Sequence, residues 1–191
     1  MFENFKNRII TIEGADGTGK DTICNLLQEK LKNSVVVRFP NRNNLSGQII
    51  DAILKKQNPM EPLSFQALQV INKIETLRTT CYTPDYFIFC RYYPSAYVYG
   101  MNDGIELKYS QTINSVLPRS YLTFILHGKN YGKHDEYYEE NDVQHKISQT
   151  YLELAEKFNW NVIRNYQAPD AIVQTILEKI NEEEKYTRII T

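Results

Sequence analysis

Gly14-Ala15-Asp16-Gly17-Thr18-Gly19-Lys20 is the stretch in which residue type and spacing most directly dictate chemistry. It fits the pattern G-x-x-x-x-G-K, with the apolar run Arg8 to Glu13 before it and a helical pattern after it. Glycines let successive backbone N–H groups curl around phosphate oxygens, and the amino terminus of the following helix adds positive potential. Lys20 then reaches the outer phosphates of a bound nucleotide. Gly14, Asp16, Gly17, Thr18, Gly19, Lys20, Asp21 and Thr22 are the expected nucleotide-binding set. A Ser or Thr ordinarily follows the lysine and holds Mg²⁺, but here Asp21 does, with Thr22 one place later. A carboxylate ~4 Å from a phosphate charge is opposed by roughly 4 kcal/mol in a surface-like dielectric. Asp21 therefore either faces a metal ion or turns away from the nucleotide. The plainer reading, a glycine-rich turn with a surface lysine, does not explain the strand–loop–helix context.

The elements that must position this loop are legible as alternating patterns. Arg8 to Glu13, Ser34 to Phe39, Tyr86 to Cys90, Tyr121 to His127 and Asn159 to Arg164 read as strands, near-continuously apolar and so covered on both faces. Between them, Leu63, Ala67, Val70, Ile71, Ile74 and Leu77 form one helical stripe, and Val143, Ile147, Tyr151, Leu154 and Phe158 another. A last helix starts at Ala168-Pro169-Asp170 and fades in the charged run Asn181 to Lys185. The alternation predicts an α/β fold with a doubly wound, mainly parallel five-stranded sheet in one domain over 1–191. His127 to Asp142 is polar and tyrosine-rich and reads as a mobile surface segment.

Composition narrows the function classes. The 191 residues carry 22 Lys plus Arg against 23 Asp plus Glu, a net charge of −1, which disfavours a general nucleic-acid or anionic-membrane binder. No apolar run approaches the ~20 residues of a membrane span. The three cysteines, Cys24, Cys81 and Cys90, have neither zinc-site nor disulfide-framework spacing. A reduced, cytoplasmic domain with no membrane or nucleic-acid partner is expected.

Two arginines stand just after strand ends, where α/β sheets bind ligands: Arg42 in Phe39-Pro40-Asn41-Arg42, and Arg91 in Arg91-Tyr92-Tyr93-Pro94-Ser95. Asn72-Lys73-Ile74-Glu75 lies on a helix between them. In order and spacing these segments and the phosphate loop resemble the thymidylate kinase family, with its G-x-D-x-x-G-K, F-P-x-R, A-N-R-W-E and D-R-Y-x-x-S motifs. The resemblance implies a P-loop kinase fold with a short lid at about 128–142, and ATP- and Mg²⁺-dependent phosphorylation of a deoxynucleoside monophosphate, normally dTMP. It implies that Arg42 binds the acceptor phosphate, that Arg91 sits between donor and acceptor phosphates, and that Asp16 contacts the sugar 3′-hydroxyl. Phe39 and Ser95 fall in the substrate-binding motifs, and Lys20 joins the two arginines as catalytic. Guanidinium forks grip phosphates bidentately, and spread positive charge stabilises a loose phosphoryl transition state. Relatives form homodimers through helix faces, a role open to the Leu63 to Leu77 helix.

Departures from the family pattern cluster at the site. Cys90 replaces the aspartate of D-R-Y, Lys73 replaces the base-reading arginine, and Gln69 occupies the place of a base-stacking aromatic. A lysine cannot make the guanidinium fork. A carboxylate lost at Cys90 and gained at Asp21 suggests that the metal-directed carboxylate, Asp21, has moved across the site. The lid carries Lys129, Lys133 and His134, of which Lys133 is the expected transition-state contact. Tyr99, Tyr138 and Gln144 are expected base-side contacts. Four other readings compete. Asn72-Lys73-Ile74-Glu75 imitates a guanine-specifying N-K-x-D, with the wrong fourth residue and in mid-helix. A deoxynucleoside kinase needs a base near the 5′-hydroxyl, where Arg42 stands instead. A non-catalytic nucleotide-binding protein, or a kinase with changed monophosphate preference, fits the altered positions.

Overall fold

The computed structural model describes residues 2–6, 8–57, 59–81, 83–130 and 141–190, with residues 141 and 187–190 described by backbone alone. A short 3₁₀ turn, Glu3–Phe5, leads into strand β1, Ile9–Glu13, and helix α1, Lys20–Lys30. Strand β2, Ser34–Arg38, is followed by helices α2, Leu45–Leu54, and α3, Pro62–Thr79. Strand β3, Tyr86–Cys90, precedes helices α4, Tyr93–Asn102, and α5, Leu107–Ile113. Strand β4, Leu122–His127, helix α6, Asn141–Phe158, strand β5, Asn161–Arg164, and helix α7, Pro169–Ile190, complete the order.

The strands form one parallel sheet in the order β2-β3-β1-β4-β5. Strand alternation divides the core between two faces. Ile10, Ile12, Ile88, Leu122, Phe124 and Leu126 meet Ile23, Cys24 and Leu27 of α1 and Ile172, Val173 and Ile176 of α7. Ile9, Phe87, Phe89 and Ile125 face the opposite way, toward α2, α3, α4 and α6. Because β1 is central, the loop after it emerges in the middle of the sheet's carboxyl edge.

Three expectations need correction. Leu63 and Ile71 are exposed, not part of a single buried stripe, and α3 instead buries Phe65, Gln66, Val70, Asn72, Lys73, Thr76 and Leu77. The last helix continues through the charged run to Ile190, supported by ion pairs from Lys179 to Glu182 and Glu183 at one-turn spacing. Strand β5 starts at Asn161 because Asn159, at φ 54°, makes the turn out of α6.

Asn72, fully buried on α3, fixes the segment after β2. Its Oδ1 accepts from Asn41 N at 2.8 Å, and its Nδ2 donates to Asn41 O at 3.0 Å and to Asn44 Oδ1 at 2.8 Å. Asn44 in turn caps α2 by accepting from Gly47 N. One side chain thereby locks the loop that carries Arg42. Asn72→Ala is expected to destabilise the protein by about 2 kcal/mol, since the hydrogen bonds of the buried amide to Asn41, Asn44 and Ser46 are lost together. Chemical denaturation measures it, and an unchanged midpoint would show that water replaces the amide freely.

Candidate active site

Glu13, the last residue of β1, is a buried carboxylate that organises the carboxyl edge of the sheet. Oε1 accepts from Tyr92 N at 2.7 Å and Ser95 N at 3.2 Å, and Oε2 accepts from Ser95 Oγ at 2.6 Å and Tyr151 Oη at 2.9 Å. The amino terminus of α4 is thus seated on β1 and tied to α6, with the helix dipole favouring the negative charge. Arg91, between β3 and α4, adopts φ 64°. This left-handed backbone is uncommon for a residue with a Cβ and concentrates at functional turns.

The phosphate loop is held by close approach. Gly14 has φ 139°, and a Cβ there would lie 2.4 Å from Leu126 O of β4, so only glycine fits. Lys20 is buried and donates to Ala15 O at 2.7 Å, while Thr18 Oγ1 donates to the same carbonyl at 2.9 Å. Burial lowers the Lys20 ammonium below its ordinary range, against the opposing effects of Cys90, Glu13 and Asp21. Asp21 is mostly exposed and turns toward Arg38 at the end of β2, whose Nε donates to Oδ1 at 2.8 Å. Cys90 Sγ lies 3.8 Å from the same oxygen. Asp21 Oδ2 accepts no hydrogen bond among the described residues. Asn165, after β5, donates to Thr18 O at 3.0 Å and Lys129 O at 2.6 Å, tying the loop to the segment after β4.

Beside the loop, four side chains converge. Arg91 forms an ion pair with Asp16 through Nη2, and its Nη1 donates to Tyr99 Oη at 3.2 Å. Its guanidinium also lies 5.6 Å from the Tyr99 ring centroid. Gln144 of α6 accepts from Asp16 N at 3.2 Å and donates to Asp16 Oδ2 at 3.4 Å. A cavity opens from this cluster between α3 and α4, lined by Phe39, Phe65, Gln66, Gln69, Lys73, Tyr99 and Arg91. Lys73 Nζ donates to Gln69 O at 3.3 Å. Burial brings its ammonium from 10.5 down to about 8, partly opposed by Glu13.

The structure therefore gathers Asp16, Arg91, Tyr99 and Gln144 into one network and Phe39, Gln69, Lys73, Ser95 and Arg91 around one cavity. Tyr99 and Gln144 meet Asp16, so they sit by the loop carboxylate rather than purely against a base. Ser95 spends its hydroxyl on Glu13. Arg42 points to Asp51 of α2, Nε to Oδ1 at 3.2 Å, and lines a neighbouring cavity instead. Lys133 and Tyr138, expected in the lid, lie outside the described residues, as does most of that segment. Sequence reasoning missed Glu13, Arg38, Gln66 and Asn165. Glu13 and Arg38 had a signal, since each is a charge closing an apolar strand. Gln66 had one too, as an amide amid apolar positions of α3.

A glycine loop at the end of the central strand, a buried lysine behind it and an arginine between loop and cavity define a nucleotide-handling kinase of the P-loop type. A sequence profile for thymidylate kinase matches residues 12–176, and the chain belongs to that family of phosphotransferases. Protein 251L of Invertebrate iridescent virus 6 is 29% identical over 191 aligned residues, covering 92% of this chain and 90% of that protein. The thymidylate kinase of Schizosaccharomyces pombe is 27% identical, covering 83% and 81%. Among solved structures, Candida albicans thymidylate kinase superposes with a TM-score of 0.74 at 22% identity, covering 94% of this chain and 93% of that one. The enzyme from Ehrlichia chaffeensis does so with a TM-score of 0.71 at 21% identity, covering 92% and 99%. At those identities the likeness shows the fold. No helix among the described residues is long and apolar enough to cross a membrane.

Lys73 generates a prediction independent of ligand. Its folded-state value of about 8 lies below the unfolded 10.5, so between those limits the unfolded chain binds more protons and stability rises with pH. Below pH 8 the buried ammonium costs on the order of 3 kcal/mol. Lys73→Met is expected to melt higher than the parent at pH 7, with the gap narrowing toward pH 10. A variant that melts lower at pH 7 would show that Lys73 stabilises the fold.

Proposed function

We propose that this protein transfers the γ-phosphoryl group of ATP to dTMP, giving dTDP and ADP. The observation that carries this reading is the position of Arg91, joined to the phosphate loop through Asp16 and lining the cavity. A guanidinium there faces donor and acceptor phosphates at once, where charge accumulates during transfer. ATP lies along the loop from Gly14 to Thr22, its outer phosphates drawing Lys20 from Ala15 O. The acceptor occupies the cavity with its base toward Gln69 and Lys73 and its phosphate toward Arg91.

Arg42 exchanges Asp51 for the acceptor phosphate, a short movement for a side chain on a loop clamped by Asn72. Asp16 and Tyr99 hold the sugar edge, with Gln144 fixing the Asp16 carboxylate. Bond formation from an acceptor phosphate oxygen to the γ-phosphorus, with cleavage of the β–γ bridge, leaves ADP. Lys20 and Arg91 stay positioned on the transferring oxygens throughout. Lys133 and Tyr138 are assigned to the lid side of the same reaction on the family resemblance.

The donor set suits Mg²⁺, which takes one or two carboxylates together with substrate phosphates. Asp21 supplies one carboxylate oxygen free of hydrogen bonds among the described residues, and Thr22 stands beside it. When bound, Mg²⁺ supplies charge neutralisation between the phosphates. The Arg38 ion pair orients Asp21 and offsets its repulsion toward a nucleotide. The half-exposed stripe of α3, with Leu63 and Ile71 outward, supports a homodimer through that helix.

ADP production with ATP, Mg²⁺ and a panel of dTMP, dUMP, dCMP, dGMP and dAMP tests the assignment. Turnover is expected with dTMP in preference to the others, and Lys20→Ala or Arg91→Ala is expected to lower kcat by about a hundredfold or more. Silence across the panel, with ATP still bound, would favour a non-catalytic nucleotide-binding protein.

The Cys90–Asp21 contact gives a second test of the metal assignment. Asp21→Thr and Cys90→Asp are expected to couple by about 1 kcal/mol or more in kcat/KM, the double variant recovering activity that each single variant loses. If the double effect equals the product of the single effects, the carboxylate has not been relocated.

A further inference from the structure

Gln66 is an amide that the fold has buried and left incomplete. It is 2% exposed on α3, yet Oε1 has no hydrogen-bond partner among the described residues. A buried polar atom left unpaired is costly, and in native structures each such atom calls for an explanation. Burial here is not in featureless core, because Gln66 forms part of the wall of the cavity between α3 and α4. Gln66, Gln69 and Lys73 follow one another at three- and four-residue spacing, so they share one face of the helix. Lys73 donates to the Gln69 carbonyl and lines the same cavity as Gln66. The terminal torsion of a glutamine is broad and soft, so a modest rotation presents the unpaired oxygen to an occupant.

The two groups define a complementary pattern. An ammonium is a donor only, and the unpaired Gln66 oxygen is an acceptor. An occupant must therefore offer an acceptor beside a donor. Thymine and uracil do so with O4 and N3–H, whereas cytosine reverses the first of these with its exocyclic amine and lacks a proton on N3. Cytosine would set an amine against an ammonium and leave a ring nitrogen facing the Gln66 oxygen.

We propose that Gln66 is a base-reading residue, which accepts the imino N–H of a 4-keto pyrimidine while Lys73 donates to the adjacent carbonyl, and so excludes cytosine. The inference rests on the reading of the cavity as the acceptor site and adds the residue that selects the base. Donor and acceptor come from one helix, Lys73 and Gln66 standing seven residues, about two turns, apart on α3.

Calorimetric binding of dTMP and dCMP to the full chain, alongside phosphorylation of each, tests this in the parent, Gln66→Met and Gln66→Glu. Methionine keeps the length and helix preference but removes the acceptor, and glutamate keeps an acceptor. Gln66→Met is expected to weaken dTMP about tenfold and leave dCMP within about twofold, erasing the preference. Gln66→Glu is expected to keep dTMP ahead of dCMP. Equal discrimination in the parent and Gln66→Met overturns the proposal with the kinase reading intact, and so does an equal loss in both variants, which marks a packing role. Tighter binding of dCMP than dTMP to the parent overturns it as well. If dTMP binds and Gln66→Met loses it while no monophosphate is phosphorylated, base reading stands and the kinase reading falls.

Discussion

Everything at the carboxyl edge of the sheet hangs on the carboxylate of Glu13. Four donors from the start of α4 and from α6 converge on it, and the carboxylate itself is fully buried. Breaking one partner from such a cluster leaves the others oriented toward an absent charge, so the cluster holds as a unit. Its position is what gives it reach. Glu13 directly precedes the phosphate loop, Tyr92 follows Arg91, Ser95 sits on α4 one turn before Tyr99, and Tyr151 shares α6 with Gln144. The loop, the arginine and the tyrosine that faces them are therefore placed by the same few hydrogen bonds.

Around this joint the site's cations are already engaged. Lys20 has a loop carbonyl, Arg91 has Asp16, Arg42 has Asp51, Lys73 has a helix carbonyl, and Arg38 has Asp21. On the function proposed above, binding of nucleotides is an exchange of internal acceptors for phosphate and base oxygens, not the capture of anions by bare charges. Such exchange lowers net affinity per contact, because a solvated or paired charge gives up one interaction to make another. It also keeps several like charges from repelling one another within a small cleft.

How much of this was legible depended on whether a residue's role was expressed in pattern or in partner. The strands announced themselves through uninterrupted apolar runs, and Tyr86 to Cys90 was bounded correctly because Pro84-Asp85 and the turn at Arg91 frame it. The glycine loop was legible because few other functions call for that spacing. Helix α3 was misread in rotation, since a stripe counted from apolar residues cannot register Gln66, Asn72 and Lys73, which are buried by a cavity and a loop. Asn72-Lys73 looked like a nucleotide motif, yet Asn72 acts as a clamp on Asn41 and Asn44. Arg38 and Asp21, seventeen residues apart, find each other only once β2 lies alongside β3 and α1 stands above them.

The backbone of Arg91 and its side chain pull in opposite directions energetically. A residue with a Cβ held at φ 64° gives up about 1 kcal/mol that glycine would not. Glycine would recover that amount and lose more, because the Asp16 carboxylate would stay buried without its guanidinium and Tyr99 would lose its donor. The strained backbone is thus held in place by what the side chain reaches, so hardening of this chain in the laboratory has to come from elsewhere.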